Sequence, residues 1–241
     1  ELKQTNAEFK NIGFTQQFSY KISNNQSISI ISWNQWNERN IPPIMPNIEK
    51  GGTYKEQQND FFSRNIFKWN YFNKNTNWEV KGAYFYENTY YYLNNEVENY
   101  SLATNLSSEL NNGYTIQAGI KTDYQKVVSD NYEDKKHRNL LNGYISIKKT
   151  FANKLTTEAL VRAEISNETS SPFMPMIGIN YKPLANQKLY VRLVLSRNQN
   201  MPSLNDLYWY PGGNINLKPE TSLSSDLGID YIYEIAEKQK R

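Results

Sequence analysis

Cysteine is absent from the 241 residues, which excludes a disulfide framework and any cysteine-ligated metal site. Histidine is nearly absent. The single one, His137, stands in the charged run EDKKHR. A solvated loop residue is expected there, because a metal ligand or a catalytic base needs partners. An excess of one charge is also lacking. The 27 lysines and arginines against 24 aspartates and glutamates leave +3, so no field gathers nucleic acid and no nucleic-acid partner is expected. No run approaches the roughly 20 apolar residues of a membrane-crossing helix. A mean hydropathy of −0.78 resembles that of a water-soluble chain. A β-barrel escapes that inference, since only alternate residues of each strand meet lipid while lumen and loops stay polar. Enzyme signatures are missing as well. A phosphate-cradling loop and a dinucleotide fingerprint are absent, and His137 has no nucleophile to serve. No enzyme activity, cofactor or metal is therefore expected.

What the chain does have is a period of two. Leu155, Thr157, Ala159, Val161, Ala163 and Ile165 alternate with Thr156, Glu158, Leu160, Arg162 and Glu164. Val191, Leu193 and Leu195 oppose Tyr190, Arg192, Val194 and Ser196. Leu223, Leu227, Ile229 and Tyr231 oppose Ser222, Ser224, Asp226, Gly228 and Asp230. This is the pattern of strands with one apolar and one polar face. Strands are expected at about 9–22, 26–36, 61–72, 78–87, 100–110, 114–127, 139–151, 155–165, 173–182, 188–197 and 221–233, and no helix. The connections between them alternate strictly, short then long. Short ones carry turn residues, such as SNN, NNG and ANK; long ones are polar or rich in proline and glycine.

A meander with tight turns at one end and free loops at the other fits a transmembrane barrel. Its strands are long against the mode of about 5–6 residues in soluble sheets. The fold class expected is all-β: an antiparallel up-and-down meander of about eleven long strands, in contact with a lipid bilayer. Trp33, Trp36, Trp69, Tyr71, Trp78, Tyr84, Tyr86, Tyr100, Tyr114 and Tyr144 fall mostly near strand ends, where interfacial girdles sit. Glu158, Arg162 and Glu164 share a polar face and are expected to line the lumen as a mutually neutralising ladder. The long loops are the candidates for recognition. Residues 88–99 gather Tyr90, Tyr91 and Tyr92, and residues 198–220 gather Tyr208, Trp209 and Tyr210. Flat aromatics beside asparagine amides would grip a small ligand with apolar and polar faces, or else pack the loop on itself. The loop 37–60 carries Pro42, Pro43 and Pro46 ahead of Gly51 and Gly52, so it cannot continue a strand.

One stretch is more specific than any of these. In SRNQNMPSLNDLYWYPGGNINLKPETSLSSDLGIDY, residues 196–231, a strand ending in Arg197 leads to Pro202, Leu204 and Asp206-Leu207-Tyr208. Gly213-Asn214, Leu217, Pro219-Glu220 and Ser222 follow, then a strand holding Gly228. This set resembles a motif of TonB-dependent outer-membrane receptors of the cobalamin- and siderophore-importing type. The stretch RNIPPIMPNIEKGGTYKEQQNDFFSRNIFKWNYF is similar, less distinctively, to receptors of that family from Bacteroidetes-like bacteria.

The resemblance implies a 22-stranded barrel in the Gram-negative outer membrane. It also implies an N-terminal plug domain and a TonB-contacting box. The ligand would be a scarce small nutrient. With about eleven strands, neither plug nor box, and a tail of EKQKR, residues 1–241 are expected to be one partial barrel domain lacking the C-terminal strands. The alternatives are a non-transporting adhesin or exported glycan-binding protein, and a passive porin.

Overall fold

The computed structural model describes residues 6–42, 56–168, 173–184 and 188–232. They form one antiparallel sheet whose strand order is the order of the chain. The strands are β1 (Phe9–Ser23), β2 (Gln26–Asn40), β3 (Gln57–Asn73), β4 (Thr76–Tyr91), β5 (Leu93–Leu110) and β6 (Tyr114–Ser129). They continue as β7 (Lys136–Phe151), β8 (Leu155–Ser166), β9 (Met174–Tyr181), β10 (Lys188–Asn200) and β11 (Glu220–Ile232). All eleven strands read from the alternation are present. The expected absence of helices is corrected by one short helix among the described residues, α1 (Leu204–Tyr208).

Register turns the period of two into two walls. One row of successive partners reads Trp78, Leu106, Ala118, Ile145, Val161 and Pro175. A row on the opposite face reads Lys68, Lys81, Ala103, Lys121, Asn142 and Glu164. Slipping β3, β4, β6 or β8 by one residue would carry charge into the apolar wall, so burial in lipid fixes their register. The apolar face is the lipid side and the polar face the lumen side. Ion pairs neutralise the lumen side locally: Arg64–Glu87 at 2.7 Å, Lys68–Glu79 at 3.1 Å and Lys121–Asp123 at 2.9 Å.

Aromatic bands bound the apolar wall. Tyr84, Tyr100 and Tyr124 are successive partners with ring centroids 4.8 and 6.2 Å apart. Nearer the turns, Trp69 packs on Tyr71 at 6.4 Å and on Trp78 at 5.2 Å. Tyr114 and Tyr124 lie ten residues apart on β6, about 33 Å along the strand. At a tilt near 45° that is about 23 Å of height, close to the roughly 25 Å apolar band of such barrels. Trp33 and Tyr144, read as girdle residues, face the lumen instead. Arg64 lies over the Trp33 ring at 4.9 Å. Tyr144 lies across Gly119, where a Cβ would collide with its ring, and reaches the Asn105 Oδ1 at 3.2 Å. His137 is also misread as a loop residue. It stands in β7, exposed, 6.4 Å from the Tyr124 ring.

The two ends differ, though less regularly than the strict alternation of lengths requires. Connections 24–25, 74–75, 111–113, 152–154 and 182–187 lie at one end; 41–56, 92, 130–135, 167–173 and 201–219 lie at the other. The correction is 88–99. It is no loop: β4 runs to Tyr91, β5 starts at Leu93, and Tyr92 alone turns the chain with φ of 57°. β2 and β3 lengthen at the same end, so the 37–60 excursion shrinks to 41–56. Pro43, Pro46, Gly51 and Gly52 lie outside the described residues.

Candidate functional site at the loop end

The connection 201–219 is built around α1. Ser203 is the N-cap: its hydroxyl accepts from the Asp206 amide at 3.1 Å, and the Asp206 carboxylate accepts from the Ser203 amide at 2.8 Å. This reciprocal box satisfies two donors that a helix start leaves free. The Ser203 hydroxyl and then its amide hold the Asp206 carboxyl below its usual range. After the helix the chain doubles back. The Gly213 amide bonds the Trp209 carbonyl, and the Asn214 amide donates to the Asp206 carbonyl at 2.8 Å. A Cβ on Gly213 would sit 2.6 Å from the Trp209 nitrogen and 2.8 Å from the Leu207 oxygen, so only glycine fits. Asn214 Oδ1 accepts from the Asn216 amide at 2.9 Å and begins the return to β11.

This folded loop docks on strands far from it in sequence. Leu204 joins a buried cluster with Val127 and Tyr132, flanked by Val97 and Tyr208. Leu207 is 6% exposed. Tyr132 donates its hydroxyl to Asn205 Oδ1, and the Tyr210 amide donates to the Asn131 carbonyl at 2.9 Å. Tyr208 meets the Tyr132 ring edge-on at 6.3 Å, with Lys136 Nζ 4.8 Å from its own ring. Its hydroxyl reaches Glu168, whose other oxygen takes a 2.6 Å bond from Arg138 Nε. Arg138, Val97 and Val127 all belong to the lumen face of β5–β7. The loop between β10 and β11 therefore latches over the inner rim of β5–β7, and Arg138 is 6% exposed beneath it.

The family-motif residues thus have assigned places. Pro202 precedes the cap; Leu207 and Tyr208 form the docked face; Gly213, Asn214 and Leu217 close the loop, with the Leu217 amide on the Asn214 carbonyl at 3.2 Å. Pro219 stands before Glu220, which pairs with Asn200 as β11 begins. Arg197 pairs with Leu223 on the lipid-side face, and Ser222 pairs with Asn198. Gly228 pairs with Arg192, whose guanidinium lies over it 3.5 Å from where a Cβ would be and reaches Asp230 at 2.8 Å.

Of the six aromatic residues read as ligand contacts, Tyr208 is committed to the latch, while Trp209 and Tyr210 are exposed beside it, Tyr210 at 70%. Tyr90 is exposed and Tyr92 is 63% exposed at the hairpin tip. Tyr91 donates to Glu56 at 2.9 Å, and its ring meets that of Tyr92 in a tilted contact at 4.5 Å. The two groups share one rim. The Asn94 amide donates to Asp130 Oδ2 at 2.7 Å, and Asn131 next in the chain holds Tyr210. Glu56 as hydrogen-bond acceptor pushes the Tyr91 and Tyr92 phenols up. Burial, then Glu168, does the same for Tyr208. Such phenols stay protonated and act as hydrogen-bond donors with flat apolar faces.

Among the described residues no group of acidic or histidine side chains could hold a metal. Sequence reasoning missed the contributions of Tyr132, Arg138 and Glu168, which carry no local signal. The cap at Ser203 did have one, the S-x-x-D spacing.

The model of the family described as TonB dependent receptor-like, beta-barrel matches residues 2–235. The vitamin B12 transporter BtuB of Vibrio vulnificus is 37% identical over 79 residues, covering 32% of this chain and 12% of that protein. The siderophore receptor PirA of Pseudomonas aeruginosa superposes on 94% of this chain with a TM-score of 0.80 at 14% identity. A mutant of the ferric enterobactin receptor PfeA from the same organism does so on 94% with a TM-score of 0.79 at 11% identity. This chain covers 44% and 41% of those two structures. Polar and apolar walls in register, a meander with turns at one end, and a family match over nearly the whole length agree: the chain belongs to the TonB-dependent receptor β-barrel family.

Proposed function

We propose that this chain supplies wall strands and outer rim of a Gram-negative outer-membrane receptor that imports a scarce nutrient through a plugged barrel. The cargo is a cobalamin, a siderophore or a similar small chelate, and TonB drives its passage by acting on the plug. Ligand meets the exposed rim aromatics Tyr90, Tyr92, Trp209 and Tyr210, with Tyr91 and Tyr208 holding their neighbours in place. The observation that carries this reading is the exposure of Tyr210, whose amide is bonded to Asn131, and of Tyr92, two residues before the Asn94 amide that is bonded to the neighbouring Asp130. Rigid aromatic side chains bind at low entropic cost.

The test is uptake by cells that express the full-length receptor and lack their own. Uptake of labelled cobalamin or ferric siderophore should vanish when TonB is deleted. Tyr92→Ala and Tyr210→Ala should each weaken ligand binding about fivefold at unchanged surface level. Uptake that persists without TonB identifies a passive pore. Absence of uptake with attachment to glycans identifies an adhesin. Either result overturns the proposal.

A further inference from the structure

The lipid-side wall of β6–β9 is almost free of charge. From Tyr114 to Ile120 on β6, Leu141 to Lys149 on β7, Leu155 to Ile165 on β8, and Pro175 to Tyr181 on β9, its side chains are apolar or threonine, with one exception. That exception is Lys149. Its ammonium stands 3.9 Å from the centre of the Tyr114 ring and 5.0 Å from that of Phe151. It has no carboxylate within ion-pair distance among the described residues. A lysine on a lipid-facing wall is tolerated only where it reaches the headgroup layer. Lys149 lies two residues before the end of β7, at the end of tight turns, which is the periplasmic side in barrels of this kind. Lys154 and Lys182 stand in the adjoining connections, and no carboxylate shares residues 111–113, 152–154 or 182–187.

Above Lys149 the wall is hollow. A depression of about 750 Å³ is lined by Trp78, Leu106, Ala118, Gly143, Val161 and Ala163. Short side chains at 118, 143 and 163 form its floor while Trp78 and Leu106 form one side. Ile145, which also lines it, lies four residues from Lys149 along β7, about 13 Å. The opposite edge of the wall differs. There Lys126 is already paired with Glu98 at 2.6 Å, so that cation is neutralised within the protein.

We infer that this surface is a phospholipid site on the periplasmic leaflet, with an acyl chain in the depression and the phosphodiester on Lys149. The unpaired ammonium supplies the complementary charge, and Tyr114 and Phe151 hold it in position. The inference rests on the proposed outer-membrane location, and its test separates the two.

Full-length receptor purified in mild detergent is titrated with phosphatidylglycerol, and retained lipid is counted by native mass spectrometry. One phosphatidylglycerol should bind, and diacylglycerol, which lacks the phosphate, should not compete. Lys149→Gln should weaken binding about fivefold, whereas Lys149→Arg retains it. Ala163→Leu, which fills the depression and leaves the charge intact, should weaken it to a similar extent. Lys126→Gln should change nothing. Equal binding by wild type, Lys149→Gln and Ala163→Leu overturns the site, as does retention of lipopolysaccharide in place of phospholipid. A full-length protein that stays monodisperse without detergent overturns the membrane location itself.

Discussion

Two triplets of aromatic residues, Tyr90-Tyr91-Tyr92 and Tyr208-Trp209-Tyr210, look alike in sequence and end up in opposite situations. The first is the tip of a hairpin, where β4 and β5 extend past the aromatic band and a single residue reverses the chain. The second ends a one-turn helix inside a folded loop that is docked across other strands. Extension of the ladder organises the first, with side-chain bonds from Tyr91 to Glu56 and from the Asn94 amide to Asp130 beside it. Burial of Leu204 and Leu207 organises the second. Tyr-rich composition therefore marks a rim without saying how its backbone is held.

Substitutions should separate these two modes. Leu207→Ala removes the best-buried side chain of α1 and should cost the latch about 2–4 kcal/mol. Hydrogen exchange at the Asn214 and Tyr210 amides should accelerate, while exchange in the 91–94 hairpin stays unchanged. Loss of protection at both would mean that the rim folds as one unit.

Gly213→Ala drives a Cβ into the backbone of Leu207 and Trp209 and should cost about 1–3 kcal/mol. Gly212→Ala, whose Cβ would find only Trp209 Cδ1 at 4.0 Å, should cost little. Limited proteolysis within 201–219 distinguishes the two, and equal cleavage would contradict the folded loop.

Removing the cap is a smaller perturbation. Ser203→Ala should cost about 1 kcal/mol. Because the folded Asp206 carboxyl titrates below its unfolded counterpart, its contribution is present above the ordinary aspartate range, near 3.9. It is lost as pH falls through the lowered value. Amide exchange at Asp206 should show this extra opening below about pH 4, and Asp206→Asn should abolish that pH dependence. The hairpin should show no such step.

The smallest effect runs the other way. Tyr92 holds φ of 57°, a conformation that costs a side-chain-bearing residue about 1–2 kcal/mol. Tyr92→Gly relieves that strain and gives up the ring contact with Tyr91, so hairpin exchange should slow slightly or stay unchanged. Ligand binding should fall. A hairpin that melts on Tyr92→Gly would show that the aromatic pair, and not the ladder, holds this tip.

Where the sequence misled, the reason is physical. Within the membrane one strand face meets lipid, so Ile116, Ala118 and Ile120 alternate visibly with polar residues. Above the aromatic band both faces meet water. Asn88, Thr89, Asn94 and Asn95 carry no alternation, though the ladder through Thr89↔Asn95 continues unbroken. A period-two signal ends where the lipid ends, and the strand does not. Helix α1 was missed for a related reason. Five residues hold too little of a 3.6-residue period to register, and only the S-x-x-D cap announces it. Trp33 and Tyr144 were placed on the wrong wall because nearness to a strand end says nothing about side. Their parity against Trp36 and Ile145 did, and it puts both on the lumen face.

The sequence by itself determined the strand count, the neighbour order and the two faces of the wall. Alternation and turn residues are local, and a meander needs nothing else to pair each strand with the next. Tertiary structure alone decided the latch. Its central hydrogen bond joins Tyr132 to Asn205, 73 residues apart, and its buried cluster draws Val127 and Leu204 from separate strands and loops. No period spans such a gap. Docking of the β10–β11 loop on the lumen face of β5–β7 brings these groups together, and the free energy of burying them selects the loop's fold.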